Sequence, residues 1–557
     1  MAAAFTLGLA LPAYAQETKR GTVLHAASNF GQGWRPEIEK AARDLAVPGF
    51  RDAVYWSRAE KNGRFRFSDV RETWPSRHAD GVSLTLNWGH PRYDRGKTPH
   101  SGPAVEAFAR FAAALVLEFP AVERIEVGNE FNADNFVDGP VASTGPADRA
   151  EAHLALLAAT SRAVRSADGR TIVLGGGAHS LPLAYLWALL DRGGRKHMDA
   201  LAFHPYDTPP EALEAQVDVF ARHPAALDLP LEVTEFGTVD KAEAPDHLLR
   251  SVCAMTLAGV RRAVWYPLGP RDDGYAPLVT EAGATETGQT FSRLVERFSG
   301  QPVKPLGDGS LVRGCHAPRL IVLWGAGGRV CFETHDVRVA RGEIAGGCAT
   351  LSDAPVVVET DRPLTYGRDF RIHPSSVLAD TRYQFAYPSE LVTDEKRELL
   401  APGPSRADPF ERLITVRGRE RPLVTLPGQE RPGAPWVPYL GDPSHRPLRV
   451  LSNDMALSDG AGVVHRMRDP VDGTSTLSLE IDLNEGSRDG VLLTVREGNE
   501  LLLEKTVTTA ISRELTLQGT GRLSVQIDPG PSAVGDLMSY RFRVERDATS
   551  QDGVRRP

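Results

Sequence analysis

Between residues 21 and 300 the chain repeats one pattern eight times, a short apolar run followed by a helix-like stretch. The runs are Thr22–Ala27, Arg51–Trp56, Val82–Trp88, Arg124–Glu130, Thr171–Gly176, Met198–His204, Leu229–Glu235 and Arg262–Pro267, each bounded by turn residues or charge. Segments rich in Ala and Leu separate them, among them Ala104–Glu118, Arg149–Ser166 and Glu211–Arg222. Such composition favours helix, and the alternation of the two patterns is the main signal of local structure. Strands that are apolar throughout must be covered on both faces, which calls for a parallel sheet under helical layers. Eight such units within ~280 residues predict an α/β fold, a (β/α)8 TIM barrel, whose usual size is about 250 residues. An open doubly wound sheet is the alternative, but no G-x-G-x-x-G follows the first strand.

Past residue 300 the helical pattern stops. LIVLWGA (320–326), RVCFETH (329–335) and APVVVET (354–360) are closely spaced strand signals and predict a small β-sandwich. Ten of the 41 prolines then fall within 402–447. That density rules out regular helix and favours an extended linker or an edge-rich wrap. Alternating runs resume after 448, as in Leu477, Leu479 and Ile481, and predict a second all-β sandwich of jelly-roll type. The expected organisation is a signal peptide (1–15), the catalytic barrel (16–300), the small sandwich (301–375), the proline-rich linker or wrap (376–447), the second sandwich (448–546) and a flexible tail (547–557). Carbohydrate binding by the second sandwich is one reading, by analogy only.

The N-terminal MAAAFTLGLALPAYAQ reads as a signal peptide with the cut after Ala15, so the expected location is exported, periplasmic or secreted. No later apolar run is long enough to span a membrane. Acidic residues outnumber basic ones, 72 to 64, and the net charge of -8 argues against a partner nucleic acid. Of the four cysteines, Cys253 lies in an apolar helical stretch and is expected to be buried and inert. Export permits one disulfide among Cys315, Cys331 and Cys348, with Cys331–Cys348 one candidate pairing.

In such a barrel the active site forms at the C-terminal ends of the strands. The fourth strand ends in Gly128-Asn129-Glu130 and the seventh in Thr234-Glu235-Phe236. Two carboxylates facing one another across a sugar are the minimum machinery of glycoside hydrolysis. Either dipeptide alone is weak, since Asn-Glu recurs at 484–485 and 499–500. Their weight comes from each Glu closing an apolar strand. Two solvated rim glutamates are the plain structural reading.

IEVGNEFN (125–132), LEVTEFG (231–237), FRDAVYWSRAEKNGRFRFS (50–68) and AFHPYD (202–207) together resemble clan A of the retaining glycoside hydrolases, with a likeness to glycoside hydrolase family 39 and related bacterial exopolysaccharide glycosidases. The resemblance spans roughly 20–375. It implies Glu130 as general acid/base, Glu235 as nucleophile, Asn129 as a partner of the sugar hydroxyl beside the reacting carbon, and Arg51 as the cation that keeps Glu235 ionised. Burial or charge repulsion is then expected to hold the other carboxyl protonated. His204 and Tyr206 are candidates for contact with the nucleophile or substrate, Asn87 for a sugar contact, and Trp265 for the aromatic floor, with Tyr266 beside it. Trp34, Trp56 and Trp88 are candidates to line the cleft, against the alternative that they pack the core.

Neither H-E-x-x-H, G-x-S-x-G nor a Walker loop is present, and the reaction requires no metal or other cofactor. The expected function is an exported retaining glycoside hydrolase acting on a carbohydrate partner, a bacterial extracellular polysaccharide or oligosaccharide. An exo-acting glycosidase, such as a β-xylosidase or arabinosidase, is the alternative enzyme. A non-catalytic polysaccharide-binding matrix protein is the alternative of another class.

Overall fold

A computed structural model describes residues 17–28, 36–68, 70, 81–307, 309–334, 336–392, 397–399, 408–471 and 473–547. The expected signal peptide, Trp34 and most of the tail lie outside them. Eight parallel strands close into a barrel: β1 (Val23–Ala27), β2 (Phe50–Ala53), β3 (Val82–Leu86), β4 (Val122–Val127), β5 (Ile172–His179), β6 (Ala200–His204), β7 (Leu231–Phe236) and β8 (Val260–Trp265). Each pairs with its neighbours in sequence, and β8 returns to β1 through Arg262↔Val23 to Trp265↔Ala26. The barrel expected from the eightfold pattern is therefore the fold.

Helices cover the barrel because their Ala- and Leu-rich faces have nowhere else to bury. Gly102–Glu118 starts under Ser101, whose hydroxyl accepts from the Ala104 N–H, and buries Phe108, Phe111 and Leu115. Pro146–Ala167 and Pro210–Ala221 begin with a proline in the first turn, where its missing N–H costs nothing. The helix Leu183–Asp191 after β5 is different. It follows Pro182 and has no side-chain cap of its own.

Strand β5 carries a bulge at its three glycines. Its register against β6 shifts between Gly175 and Ala178, with Gly176 at φ 88° and Gly177 at φ 48°. A Cβ on Gly176 would stand 2.6 Å from the Ala202 carbonyl oxygen. Only glycine combines this close approach with positive φ at low cost. The bulge lets β5 run on to His179, which pairs with His204 at the barrel mouth.

Beyond the barrel, a six-stranded sheet takes in Lys19–Arg20, Pro302–Gly307, Val312–Ala317, Leu320–Gly325, Val356–Thr360 and Val337–Arg341. A three-stranded sheet of Cys348–Thr350, Arg329–Phe332 and Phe370–His373 accompanies it. Cys331 and Cys348 are bonded within the latter. The expectation for Cys253 is corrected: it is bonded to Cys315, tying the helix Ala244–Leu257 to the strand Val312–Ala317. Burial was read rightly, but its partner comes from another sheet and is invisible in local sequence.

The C-terminal region forms a ten-stranded and a six-stranded sheet. Residues Ser475–Leu483 alternate, with Leu477, Leu479 and Ile481 buried. The proline-rich stretch contributes strands to both sheets: Phe410–Val416 and Arg419–Pro422 to one, Val424–Leu426 and Tyr439–Gly441 to the other. Prolines sit between these strands or at their ends, as loss of a ladder donor requires. Buried charge knits the sheets to the barrel. Glu211 accepts from Trp324 Nε1 at 2.9 Å and from Arg250 at 3.1 Å, and Arg313 donates both to Glu214 of the helix Pro210–Ala221 at 3.3 Å and to the Tyr383 carbonyl beyond the barrel at 3.0 Å. Among the described residues no helix is long and apolar enough to cross a membrane.

Candidate active site

The mouth of the barrel gathers the charged residues that end its strands. Glu130 follows β4 with φ 44°, a conformation that costs a non-glycine residue energy and is met most at functional sites. Its N–H donates to the Gly177 carbonyl at 2.5 Å, so the β5 bulge holds the turn. Glu235 lies in β7. One oxygen of each carboxylate and one nitrogen of His204 all lie within 4.8 Å of one another.

Arg51 from β2 organises one half of this group. Its Nε donates to Glu126 Oε2 at 2.7 Å, Nη2 to Asn129 Oδ1 at 2.8 Å, and Nη1 to Glu235 Oε1. Tyr206 OH donates to Glu235 Oε2 at 3.0 Å. Glu126 sits one layer deeper in β4, where it also accepts from Thr85 at 2.8 Å and Thr234 at 2.7 Å. Burial opposes its charge, but Arg51 and His204 outweigh burial and hold its carboxyl well below the usual range. The carboxylates of Glu126 and Glu235 raise Arg51 despite its own burial.

Two imidazoles organise the other half. His204 Nδ1 lies 2.9 Å from Glu130 Oε1 and its Nε2 lies 3.0 Å from Thr234 Oγ1. His179 Nδ1 lies 3.0 Å from the same Glu130 oxygen, and its Nε2 lies 3.3 Å from Asp207 Oδ2. Burial would lower His179, but Asp207 and Glu130 raise it to about 9. His204 is likewise lifted against its burial to about 9, by the charge of Glu235 and hydrogen bonds to Glu126 and Glu130. Burial would raise Glu130, yet hydrogen bonds from His179 and His204 bring it down to about 2. The expectation that burial keeps this carboxyl protonated is thus corrected. The imidazoles are drawn up and Glu130 is drawn down together, which favours the proton on the rings.

Other sequence candidates fall into distinct places. Asn129 is buried and bonded to Arg51, and its N–H donates to Asn87 Oδ1 at 3.0 Å. Asn87 also donates to the Phe136 carbonyl at 2.7 Å, so it braces the Glu130 turn. Trp88 is half-buried and stacks near Tyr55 with ring centroids 4.5 Å apart. Trp56 is corrected: it is fully buried, packs against Phe108 and Tyr93, and donates to Glu60, so it belongs to the core. Trp265 is corrected for the same reason. It is fully buried, edge-on to Phe236, with its N–H on the Ala276 carbonyl. Half-buried Tyr266 and Tyr275 stand at the rim instead, with Tyr275 5.2 Å from Tyr206.

Sequence reasoning missed Glu126, His179 and Asp207 as members of this network. The alternation Glu126, Gly128, Glu130 was a signal that Glu126 points the same way as Glu130. His179 was hidden because three glycines seemed to end the strand at Gly176.

Glu130, His204 and Glu235 also offer three potential ligand atoms to a cation. These atoms already have partners within the chain: Arg51 and Tyr206 on Glu235, His179 on Glu130 and Thr234 on His204.

No family model matches the chain, and no curated protein does. Solved structures resemble it at low identity. A family 39 glycoside hydrolase from the gut symbiont Bacteroides cellulosilyticus shares 13% identity over 61% of this chain and 81% of its own, with a TM-score of 0.49. A family 39 β-xylosidase from Caulobacter crescentus shares 14% identity over 63% of this chain and 98% of its own, with a TM-score of 0.45. A Clostridium papyrosolvens family 30 endoxylanase shares 13% over 62% and 98%, with a TM-score of 0.45. At such identities the likeness concerns the course of the chain.

Proposed function

We infer that the protein is a retaining glycoside hydrolase, with Glu235 as nucleophile and Glu130 as acid/base. The observation that carries this reading is the approach of the two carboxylates, an oxygen of each within 4.8 Å. Retaining enzymes hold their carboxyl groups about 5–5.5 Å apart, and inverting ones about 6.5–9.5 Å to admit a water. The different surroundings of the two also suit different roles. Glu235 is held by Arg51 and Tyr206, one donor on each oxygen, which fixes its carboxylate in place. Glu130 faces imidazoles that can exchange a proton with it.

In the first step a proton moves from His179 Nδ1 to Glu130, across the 3.0 Å hydrogen bond, leaving neutral imidazole. Glu235 attacks the anomeric carbon. The glycosidic C–O bond breaks, and the leaving oxygen takes the Glu130 proton. In the second step Glu130 removes a proton from water, which attacks the same carbon and frees Glu235. His179 recovers its proton from Glu130, and the site returns to its starting state. Asn129, fixed by Arg51, is placed to meet a sugar hydroxyl beside the reacting carbon.

The expected substrate is an extracellular polysaccharide or oligosaccharide. Export is supported by the N-terminal apolar run and by two disulfides, which persist in oxidising compartments. Wild type and Glu235→Gln are compared on a panel of bacterial exopolysaccharides and 4-nitrophenyl glycosides. Release of sugar by wild type alone is the expected result. Equal or absent release by both across the panel contradicts the reading.

A further inference from the structure

The proline-rich stretch does more than join two folded units. Its strands Val424–Leu426 and Tyr439–Gly441 pair antiparallel, from Val424↔Gly441 to Leu426↔Tyr439. The loop between them, 427–438, leaves the C-terminal sheet and reaches the barrel mouth. It is built to hold one shape. Gly428 and Gln429 take φ of 80° and 55°, the Gln429 N–H donates to the Pro435 carbonyl at 2.7 Å, and Tyr439 OH is bonded to Glu430 at 2.5 Å.

The loop supplies what the barrel lacks at this point. The helix Leu183–Asp191 has no side-chain cap, and its N–H groups would be unsatisfied. The Leu183 N–H donates to the Pro427 carbonyl at 3.0 Å and the Ala184 N–H to Gly428 at 3.4 Å. Gln429 then clasps Asn132, giving Nε2–H to its carbonyl at 2.8 Å and accepting from its Nδ2 at 3.1 Å. Asn132 is two residues from Glu130 and also exchanges hydrogen bonds with the His179 backbone, at 2.9 and 3.1 Å. The loop is thereby fixed to both the acid/base turn and the His179 strand end.

One side chain of this loop has no structural duty of that kind. Trp436 is half-buried and stands perpendicular to the His179 ring, 4.9 Å between centroids. His179 in turn touches Glu130. The acid/base protonates the leaving oxygen, so the sugar attached to that oxygen lies on the Glu130 side of the cleft, away from Glu235. A flat aromatic there offers its face to the C–H surface of a ring, a contact in which aromatics gain most from burial.

We propose that Trp436, carried by the 427–438 loop of the C-terminal sandwich, is the binding platform for the leaving-group sugar ring. The ligand class is a pyranoside or furanoside unit on the reducing side of the cleaved bond. The last third of the chain would then complete the active site, rather than act as a separate carbohydrate-binding unit. This rests on the hydrolase reading above.

The test uses the full-length protein and one glycone, the one that wild type releases fastest from a panel of 4-nitrophenyl glycosides. For wild type, Trp436→Ala, Trp436→Leu and Trp436→Phe, kcat/KM is measured on the glycosyl fluoride of that glycone, whose leaving group carries no ring, and on its homo-disaccharide. The expected result is a ratio of disaccharide to fluoride kcat/KM that falls about tenfold in the Ala and Leu variants and is largely restored by Phe. A ratio unchanged in both, whatever the fall in absolute rate, overturns the platform and makes Trp436 a packing residue. Thermal unfolding of each variant confirms that folded protein is compared. A wild type that cleaves no glycoside in the panel overturns the hydrolase reading, and the platform falls with it.

Discussion

His179 Nδ1 lies 3.0 Å from Glu130 Oε1, and the far side of the same ring lies 3.3 Å from Asp207. A carboxylate, an imidazole and a second carboxylate thus run from the half-open rim to the buried centre of the site. On the proposed reading, with Glu130 as general acid, the adjacent imidazole is the proton store for a carboxyl drawn down to about 2.

His179→Gln removes that proton store. Wild-type activity is expected to fall as the pH rises through about 9, where His179 loses its proton. In the variant this alkaline limb moves to lower pH, because His204 alone, 2.9 Å from the same oxygen, then shares a proton with Glu130. A limb that stays in place contradicts the role. Stability follows the same linkage. His179 is raised from 6.5 to about 9, so its contribution is complete below 6.5 and lost as the pH rises through 9. Glu130 is lowered from 4.5 to about 2, so its contribution is complete above 4.5 and lost as the pH falls towards 2. The gap in unfolding midpoint between wild type and variant should therefore be widest between pH 4.5 and 6.5, read by calorimetry.

Arg51 serves three acceptors with one rigid fork, which an ammonium group does not reproduce. Arg51→Lys is expected to lower kcat/KM on the order of 10²-fold, as loss of an oriented donor does. Arg51→Met leaves the buried Glu126 charge without its hydrogen-bonded cation, with only His204 near it, and the unfolding free energy should drop by about 3–5 kcal/mol. Denaturant titration checks the second figure. A Met variant as stable as wild type would show that Glu126 is neutral in the fold.

The Cys253–Cys315 bond joins residues 62 apart, one on the barrel and one on the following sheet. Closing a loop of that length stabilises a fold by about 4 kcal/mol on the chain-entropy account. The double variant Cys253→Ala/Cys315→Ala should unfold at a lower temperature without a change in kcat/KM, since neither residue lies near the barrel mouth. An unchanged midpoint by calorimetry contradicts the assignment.

The barrel was legible in the sequence because eight short, mostly apolar runs bounded by turn residues or charge alternate with Ala- and Leu-rich helical stretches. Glu130 and Glu235 could be located by counting such runs. What stayed hidden had physical causes. Gly175, Gly176 and Gly177 resemble a turn, and only the close packing of Gly176 against Ala202 reveals a bulge that carries β5 on to His179. Trp265 closes β8 as a cleft residue would, but the direction of a side chain at a strand end depends on register, and it is fully buried; Trp56 lies past β2, in the short helix Trp56–Ala59, and packs on Phe108 and Phe111. Proline density in 402–447 suggested an extended linker or an edge-rich wrap without deciding between them, because composition reports lost donors and not the strands that survive between them. Gln429 and Trp436 meet Asn132 and His179 across some 300 or 250 positions of sequence, beyond any local pattern.

The central claim is that Glu235 and Glu130 work as nucleophile and acid/base at a separation too short for an intervening water. Its most direct test is the anomeric configuration of the first product, followed by proton NMR immediately after wild-type enzyme is added to a cleavable 4-nitrophenyl glycoside. The account predicts that the product appears first with the configuration of the substrate and only then mutarotates. First appearance of the opposite anomer would contradict it.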